Sequence, residues 1–281
     1  MTDNDSRRID SFACSGPADI QAHLQCGELL VELVDTDVVA VVISAVTDPD
    51  RRLRDLLGRN AEADTEAAAA AVRKTKTHFT RGHLVVQAPN GRLKSVPMRV
   101  VVRAPLRSKV HLTGGAARFT VTGPAADLLA TWDSGDLTVA DSVAGSTKVR
   151  LGDGRVRLGA LLGGADLRIG TATLEVGRFA ASATVTTGSG TVEFGTIEAD
   201  VVLTTGAGTI TVADAAAGTL KIKTGPGSIR IGVRDGVSAR ADLSSRGGTA
   251  RNELPAPRGS ERVGLTIDAA STSGDIVVTR A

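Results

Sequence analysis

The sequence predicts an all-β protein, a parallel β-solenoid or β-helix-like stack of coils of about 18–20 residues, with a short helical insertion near the N-terminus. Three observations predict it. The stretch TTGSGTVEFGTIEADVVLTTGAGTITV, residues 186–212, states one pattern twice. With the second Gly of GSG as a phase marker, the same slot falls at Ala117, Gly135, Gly154, Ala172, Gly190, Gly208, Gly227, Gly248 and Gly274, at intervals of 18, 19, 18, 18, 18, 19, 21 and 26 residues. Apolar residues then recur in fixed columns on either side of that marker. Self-similarity at so short a period marks an array in which each repeat is one supersecondary unit unable to bury its apolar face alone.

The N-terminal part is less regular but opens with the same coil. In ADIQAHLQCGELLVEL, a marker at Gly27 turns Ile20, Ala22, Leu24, Leu29 and Val31 inward. Residues 38–46 form the longest apolar run and read as a buried strand. The period then breaks in an insertion at about residues 50–77, which is Ala-rich from residue 61 to about 76, with acidic residues early and basic ones late, as the helix dipole favours. This helix reads as a cap on the terminal repeat, or otherwise as a partner or membrane helix. The following residues read as strands with turns at Arg81-Gly82 and at Asn90-Gly91, the second a favoured hairpin sequence.

From residue 108 the repeats are regular. Two residues after the marker stand Phe119, Leu137, Val156, Leu174, Val192, Ile210, Ile229, Ala250 and Ile276; four after it stand Val121, Val139, Leu158, Val176, Phe194, Val212, Ile231, Asn252 and Val278. Upstream, Leu112, Ala130, Val149, Leu167, Val185, Leu203, Ile222 and Leu243 form another column. Polar residues fill the intervening slots, so each repeat contains strands with one buried face. Each repeat is read as strand, tight Gly-rich corner, strand and return corner. Residues 1–107 are thus the opening coil with its helical cap and hairpin, and 108–281 the regular repeats, in one continuous structural domain.

The glycines raise a chemical alternative. A phosphate cradle needs its glycine run to open a helix whose N-terminal amides hold the anion. Every run here opens onto a β-branched strand, so the glycines answer a steric demand at the bends.

Composition bounds the function. The net charge of +2, from 33 basic and 31 acidic residues, gives no global attraction to nucleic acid or anionic membrane. No apolar run approaches the roughly eighteen residues that span a bilayer, and the start MTDNDSRRIDSF lacks a secretory h-region. Cys14 and Cys26 alone define no disulfide framework. A cytoplasmic location is expected.

Side chains with chemistry are dispersed. His23, His78, His83 and His111 show no metal-ligand spacing; His78 and His83 flank a turn, where a metal site is the alternative to two solvated rings. The serines of the Ser-Gly pairs recur as corners and not as a single nucleophile. Asp136, Asp153, Asp166, Glu175 and Glu193 fall in different columns or coils, which argues against the carboxylate pair of a polysaccharide-acting β-helix enzyme. No catalytic residue, metal or cofactor is expected. Lys148, Arg150, Arg155, Arg157 and Arg168, with Lys221, Lys223 and Arg230 on later coils, project outward as a basic face. It is read as a solvated surface that discourages edge pairing, or alternatively as a site for an acidic surface or polyanion.

The units TTGSGTVEFG and TTGAGTITV, the stretch IGVRDGVSARADLSSRGGTARNELP and the ending STSGDIVVTRA resemble the bacterial putative-adhesin β-strand-repeat family, in its actinobacterial form. The likeness runs from about residue 10 to 280. It implies a β-solenoid or β-helix-like fold and no catalytic residues. The expected function is a non-enzymatic scaffold or protein-interaction module, with an unidentified protein as partner. The alternatives are a self-assembling filament or oligomer, through backbone groups left unpaired by the capping segment or by the C-terminal edge near residues 276–279, and the polysaccharide-acting enzyme.

Overall fold

The computed structural model describes residues 7–45, 61–89, 93, 96–255 and 263–281. Over these residues the protein is nearly all β, repeat-like and mostly parallel in its pairing, with one α-helix. It divides into two compact units, Met1–Ala140 and Asp141–Ala281.

In the first unit the opening strand is β2 (Asp19–Val34), following β1 (Arg7–Ala13). The predicted inward residues Ile20, Ala22, Leu24, Leu29 and Val31 are all buried. β3 (Val38–Ala45) leads to α1 (Ala61–Lys74), β4 (Lys76–Thr80), β5 (His83–Gln87), β6 (Met98–Pro105), β7 (Lys109–Thr122) and β8 (Leu128–Val143). The marker at Gly27 lies opposite Ala117, as its phase requires, with β2 and β7 parallel along most of their length. The other side of β2 is covered by β5 and β6, also parallel, which together take the place of a repeat that the sequence does not announce. β6 then pairs antiparallel with β3, β3 with β1, and β5 with β4.

The helix begins where the Ala-rich segment does; the earlier part of the expected insertion, residues 50–60, lies outside the described residues, as does the Asn90-Gly91 turn. Ala68, Ala71 and Val72 bury one side of α1 against the β1, β3 and β6 region. At its end the Thr75 hydroxyl donates to the Ala71 carbonyl at 2.9 Å, and an Arg8 guanidinium nitrogen donates to the Thr75 carbonyl at 2.7 Å. These bonds satisfy groups that a helix terminus otherwise leaves open. The Arg81-Gly82 turn has φ of 52° and 79°, the two positive values of a type I′ hairpin.

In the second unit, β9 (Thr147–Leu161), β10 (Ala165–Phe179), β11 (Ala183–Ile197) and β12 (Val201–Ala215) pair in parallel, each displaced by 18 residues from the last. The Gly-x-Gly corner does not divide two strands as expected; it is a bend inside one continuously paired strand. In β11 the buried side chains are Ala183, Val185 and Thr187 before the bend, then Val192 and Phe194 after it, an exchange of odd for even that holds until Ile197, buried at the strand's end. Gly190 makes the exchange at φ 130°, and a Cβ there would stand 1.9 Å from the Ala172 carbonyl oxygen on the neighbouring strand. Only glycine tolerates both demands.

Sequential stacking fails near the C-terminus. After β12 come β13 (Gly218–Pro226) and β14 (Ile229–Val233), then β15 (Ala239–Ser245), β16 (Ala250–Asn252), β17 (Leu265–Ser273) and β18 (Ile276–Arg280). β17 and β18 lie between β13/β14 on one side and β15/β16 on the other. Ile276 and Val278 are therefore buried in a strand paired on both sides, which corrects the expectation of a C-terminal edge at residues 276–279. Ala250 and Asn252, expected inward, are exposed, and Leu243 is half-buried. The physical reason is composition: β17 and β18 offer Leu265, Ile267, Ala269, Ile276 and Val278 to the core, whereas β15 and β16 carry mostly small and charged residues that lose little at a margin.

Aromatic residues, scarce in the sequence, are used in pairs. Phe119 meets Trp132 edge-on at 5.7 Å, Phe179 meets Phe194 edge-on at 5.0 Å, and Phe12 stacks on Phe79 at 5.3 Å. These six are all the Phe and Trp in the chain. No helix of the described residues is long and apolar enough to cross a membrane.

Candidate interaction surfaces

The basic residues singled out from the sequence lie on outward positions of the second unit, in two sets. In the first, Lys148 is opposite Asp166, and Arg150 is opposite Arg168. Three strands on, Lys221 and Lys223 occupy the same levels, separated from them by Thr184, Thr186, Val202 and Thr204. Arg168 is drawn to Asp166 at 3.2 Å. In the second set, Arg155 and Arg157 face Thr173 and Glu175, with an Arg157–Glu175 ion pair at 2.8 Å, and Arg230 lies opposite Thr211. Arg150 and Arg168 are the two of these residues that stand directly opposite one another; Asp166 and Glu175 pair with Arg168 and Arg157.

A second charged assembly in this unit links Arg178, Glu198, Arg234 and Asp214. Arg178 donates to Glu198 at 2.6 Å, Arg234 reaches Glu198 at 3.6 Å, and Arg234 holds Asp214 through two nitrogens. The Arg178 hydrogen bond holds the Glu198 carboxyl below the usual carboxylate range, and the Asp214 hydrogen bond raises Arg234. All four are satisfied by one another across neighbouring repeats, which makes this a structural clasp.

The histidines do not converge on one another at the β4–β5 turn. His78 meets the Thr80 hydroxyl at 2.8 Å, while His83 turns to Asp19 on β2 at 3.4 Å, with His111 on β7 at 3.9 Å from the same carboxylate. Among the described residues no group of three or more His, Cys, Asp and Glu is placed to hold a metal ion.

The most developed surface is one the sequence reading missed. It is a groove of about 750 Å³ on the outer face of the first unit, across β1, β3, β6, β2 and β7. Strand register sorts its side chains into three rows. The middle row is apolar: Ile9 opposite Val42, Val42 opposite Val101, and Val101 opposite Leu30. Ile9 is 60% exposed, and the other three are half-buried. Two residues to one side run Arg7, Ser44, Arg99, Glu28 and Arg118. Two residues to the other side run Ser11, Ala40, Arg103 and Glu32.

Four arginines and two glutamates border this groove, a surplus of two positive charges. Glu28 sits between Arg99 at 3.1 Å and Arg118 at 3.3 Å, and Glu32 accepts from Arg103, which raises the Arg103 guanidinium. The arginine side chains are 62–66% exposed and the glutamates 38% and 25%, so the cationic heads are the more accessible part of each pair. Exposed pairs of this kind contribute little, because solvent screens them, and an incoming anion exchanges them at small cost.

No family model matches the chain, and no curated protein matches it. Solved structures to which it is similar include a putative adhesin from Parabacteroides merdae ATCC 43184, at 11% identity and a TM-score of 0.45 over 97% of each chain. A putative adhesin from Parabacteroides distasonis ATCC 8503 is similar at 10% identity and a TM-score of 0.39, over 96% of each chain. A putative cell adhesion protein from Clostridium sporogenes ATCC 15579 is similar at 8% identity and a TM-score of 0.25, over 98% of this chain and 99% of that one.

Proposed function

We propose that the protein is a non-enzymatic β-solenoid interaction module that binds a protein partner on an outer β face. The winding is supported by the 18-residue parallel register of β9 through β12, with a positive-φ glycine at the bend of β9, β11 and β12 (Gly154, Gly190 and Gly208) and Ala172 at the same position of β10. The observation that carries the functional reading is the apolar row of half-buried Val42, Val101 and Leu30 in the groove, continued by the exposed Ile9 on the next strand and flanked by charged rows. Contiguous apolar surface rimmed by polar groups is the usual mark of a protein contact. The free thiols Cys14 and Cys26 suit a reducing, cytoplasmic setting. Affinity capture from the source cells, followed by reconstitution from purified components, tests the reading. A saturable complex with neither partner chemically altered is expected; turnover of a polysaccharide by the purified chain without any such complex would overturn it.

A second reading is favoured by the Arg150–Arg168 adjacency, with Lys148 beside it and Lys221 and Lys223 on the same levels further along. Under it, these residues hold a polyanion. Retention on heparin that falls steeply with salt would support it, because phosphate or sulfate contacts release counterions. Absence of retention at low salt ends it.

A further inference from the structure

We propose that the groove of the first unit takes an acidic amphipathic α-helix of a partner protein, laid across the strands with its apolar stripe on Ile9, Val42, Val101 and Leu30; this rests on the interaction-module reading and specifies its partner. The argument is one of matched spacings. The apolar row crosses hydrogen-bonded strands, so its residues recur about every 4.8 Å, close to the 5.4 Å pitch of an α-helix. A helix with one apolar residue per turn therefore sets one side chain on each strand. An extended chain offers a same-face side chain only about every 6.8 Å and loses step within two strands.

Width gives the same answer. The flanking rows lie two residues from the apolar row on either side, which separates the two rims by about 13–14 Å, enough for a helix of 10–12 Å overall diameter. The four apolar strands span roughly 14 Å, and the five strands of the groove roughly 19 Å, the length of about thirteen helical residues.

Charge selects the kind of helix. Arg7, Arg99 and Arg118 stand on one rim and Arg103 on the other, so acidic residues on both flanks of the apolar stripe meet guanidinium groups. Arginine forms bidentate hydrogen bonds to carboxylates, which fixes orientation as well as adding attraction. Glu28, between Arg99 and Arg118, and Glu32, beside Arg103, work against an acidic helix, but they are outnumbered four to two and are less exposed than the arginines they pair with, so the net attraction is for carboxylates.

Fluorescence anisotropy on the full chain tests the proposal. The probe is a fluorescein-labelled helical peptide of about thirteen residues, with leucines at i, i+4, i+7 and i+11 and glutamates flanking them. It should bind at least ~10-fold more tightly than the same peptide with lysine for glutamate, or than a period-two rearrangement of its residues. Val101→Ser, or Arg99→Gln with Arg103→Gln, should weaken binding by ~10-fold or more while the thermal midpoint stays near that of wild type. Lys221→Gln with Lys223→Gln should leave it within about twofold. Equal binding of all three peptides, indifference to the groove variants, or binding to anionic phosphatidylglycerol vesicles in place of the peptide would overturn the helix assignment. A captured partner whose reconstituted complex ignores the groove variants would sink this proposal and leave the interaction-module reading standing.

Discussion

Val185 and Thr186 are neighbours in β11 with opposite fates, the first fully buried beside Leu167 and Leu203, the second exposed between Arg168 and Thr204. An aspartate at 185 would be an unpaired charge in an apolar interior. Val185→Asp should therefore cost more than about 4 kcal/mol or prevent folding, whereas Thr186→Asp should stay within about 0.5 kcal/mol, aided by Arg168. Equal losses in chemical denaturation would show the facing to be wrong. Asp275 gives a pH-dependent counterpart. Its carboxylate accepts the Thr249 backbone N–H at 2.9 Å and the Thr249 hydroxyl at 2.7 Å, and those bonds hold its carboxyl below the usual Asp range. Because the folded value is depressed, the stabilisation is complete above the unfolded Asp value of about 3.9 and is lost as the pH falls through the folded one. Thermal melts of Asp275→Asn should lie below wild type at pH 7 and converge with it below about pH 4, since the substitution removes a contribution that acid also removes. A constant difference down to the lowest pH would mean the carboxylate charge plays no part.

The elements at the C-terminus are ordered by burial and not by chain position. β17 and β18 are paired on both sides, whereas β15 and β16 pair only with them among the described residues. Amides of β17 and β18 should consequently exchange with deuterium at least ~10-fold more slowly than those of β15 and β16, the reverse of what stacking in chain order gives, because exchange follows local opening. Faster exchange in β17 and β18 would refute the inserted arrangement. The alternation and the bends were legible in the sequence for a local reason: a strand's facing is fixed by period two, and the bend is marked in most repeats by a glycine, with the small Ala117 and Ala172 in the same slot of two others. The insertion was not, because the partner of Gly218 is Leu265, 47 residues on, and no local rule encodes that choice. The polarity of ARADLSS and TARN beside the apolar LTIDAA and DIVV is the one hint that the former belongs outside. The groove was hidden in the same way, since its rows join strands as distant as β1, β3 and β7. Its trace is nevertheless present in GELLVEL and MRVVVRA, where like charges four apart enclose three apolar residues, the middle one on the charges' own strand face.

At the scale of the whole molecule, a near-balanced charge of +2 supplies little general repulsion between copies, so protection against assembly must come from the strands at the margins. In the second unit the marginal pair β15/β16 carries Arg240, Asp242 and Arg251 on exposed positions. In the first unit β1, which pairs only with β3 among the described residues, carries Arg7, Arg8 and Asp10. Charged side chains along a free edge oppose the addition of a further strand, because pairing with a second copy would bring like charges together and strip their water. The parallel repeat itself offers no such barrier: its register is satisfied equally well by a strand from another molecule. The self-assembling alternative thus turns on these few charges. Wild-type protein should scatter light as a single species of constant mass across concentration, while Arg240→Val, Asp242→Val and Arg251→Val together should produce mass that grows with concentration. Growth already present in the wild type, and unchanged by the triple substitution, would mean that assembly uses another surface and that the marginal charges do not control it.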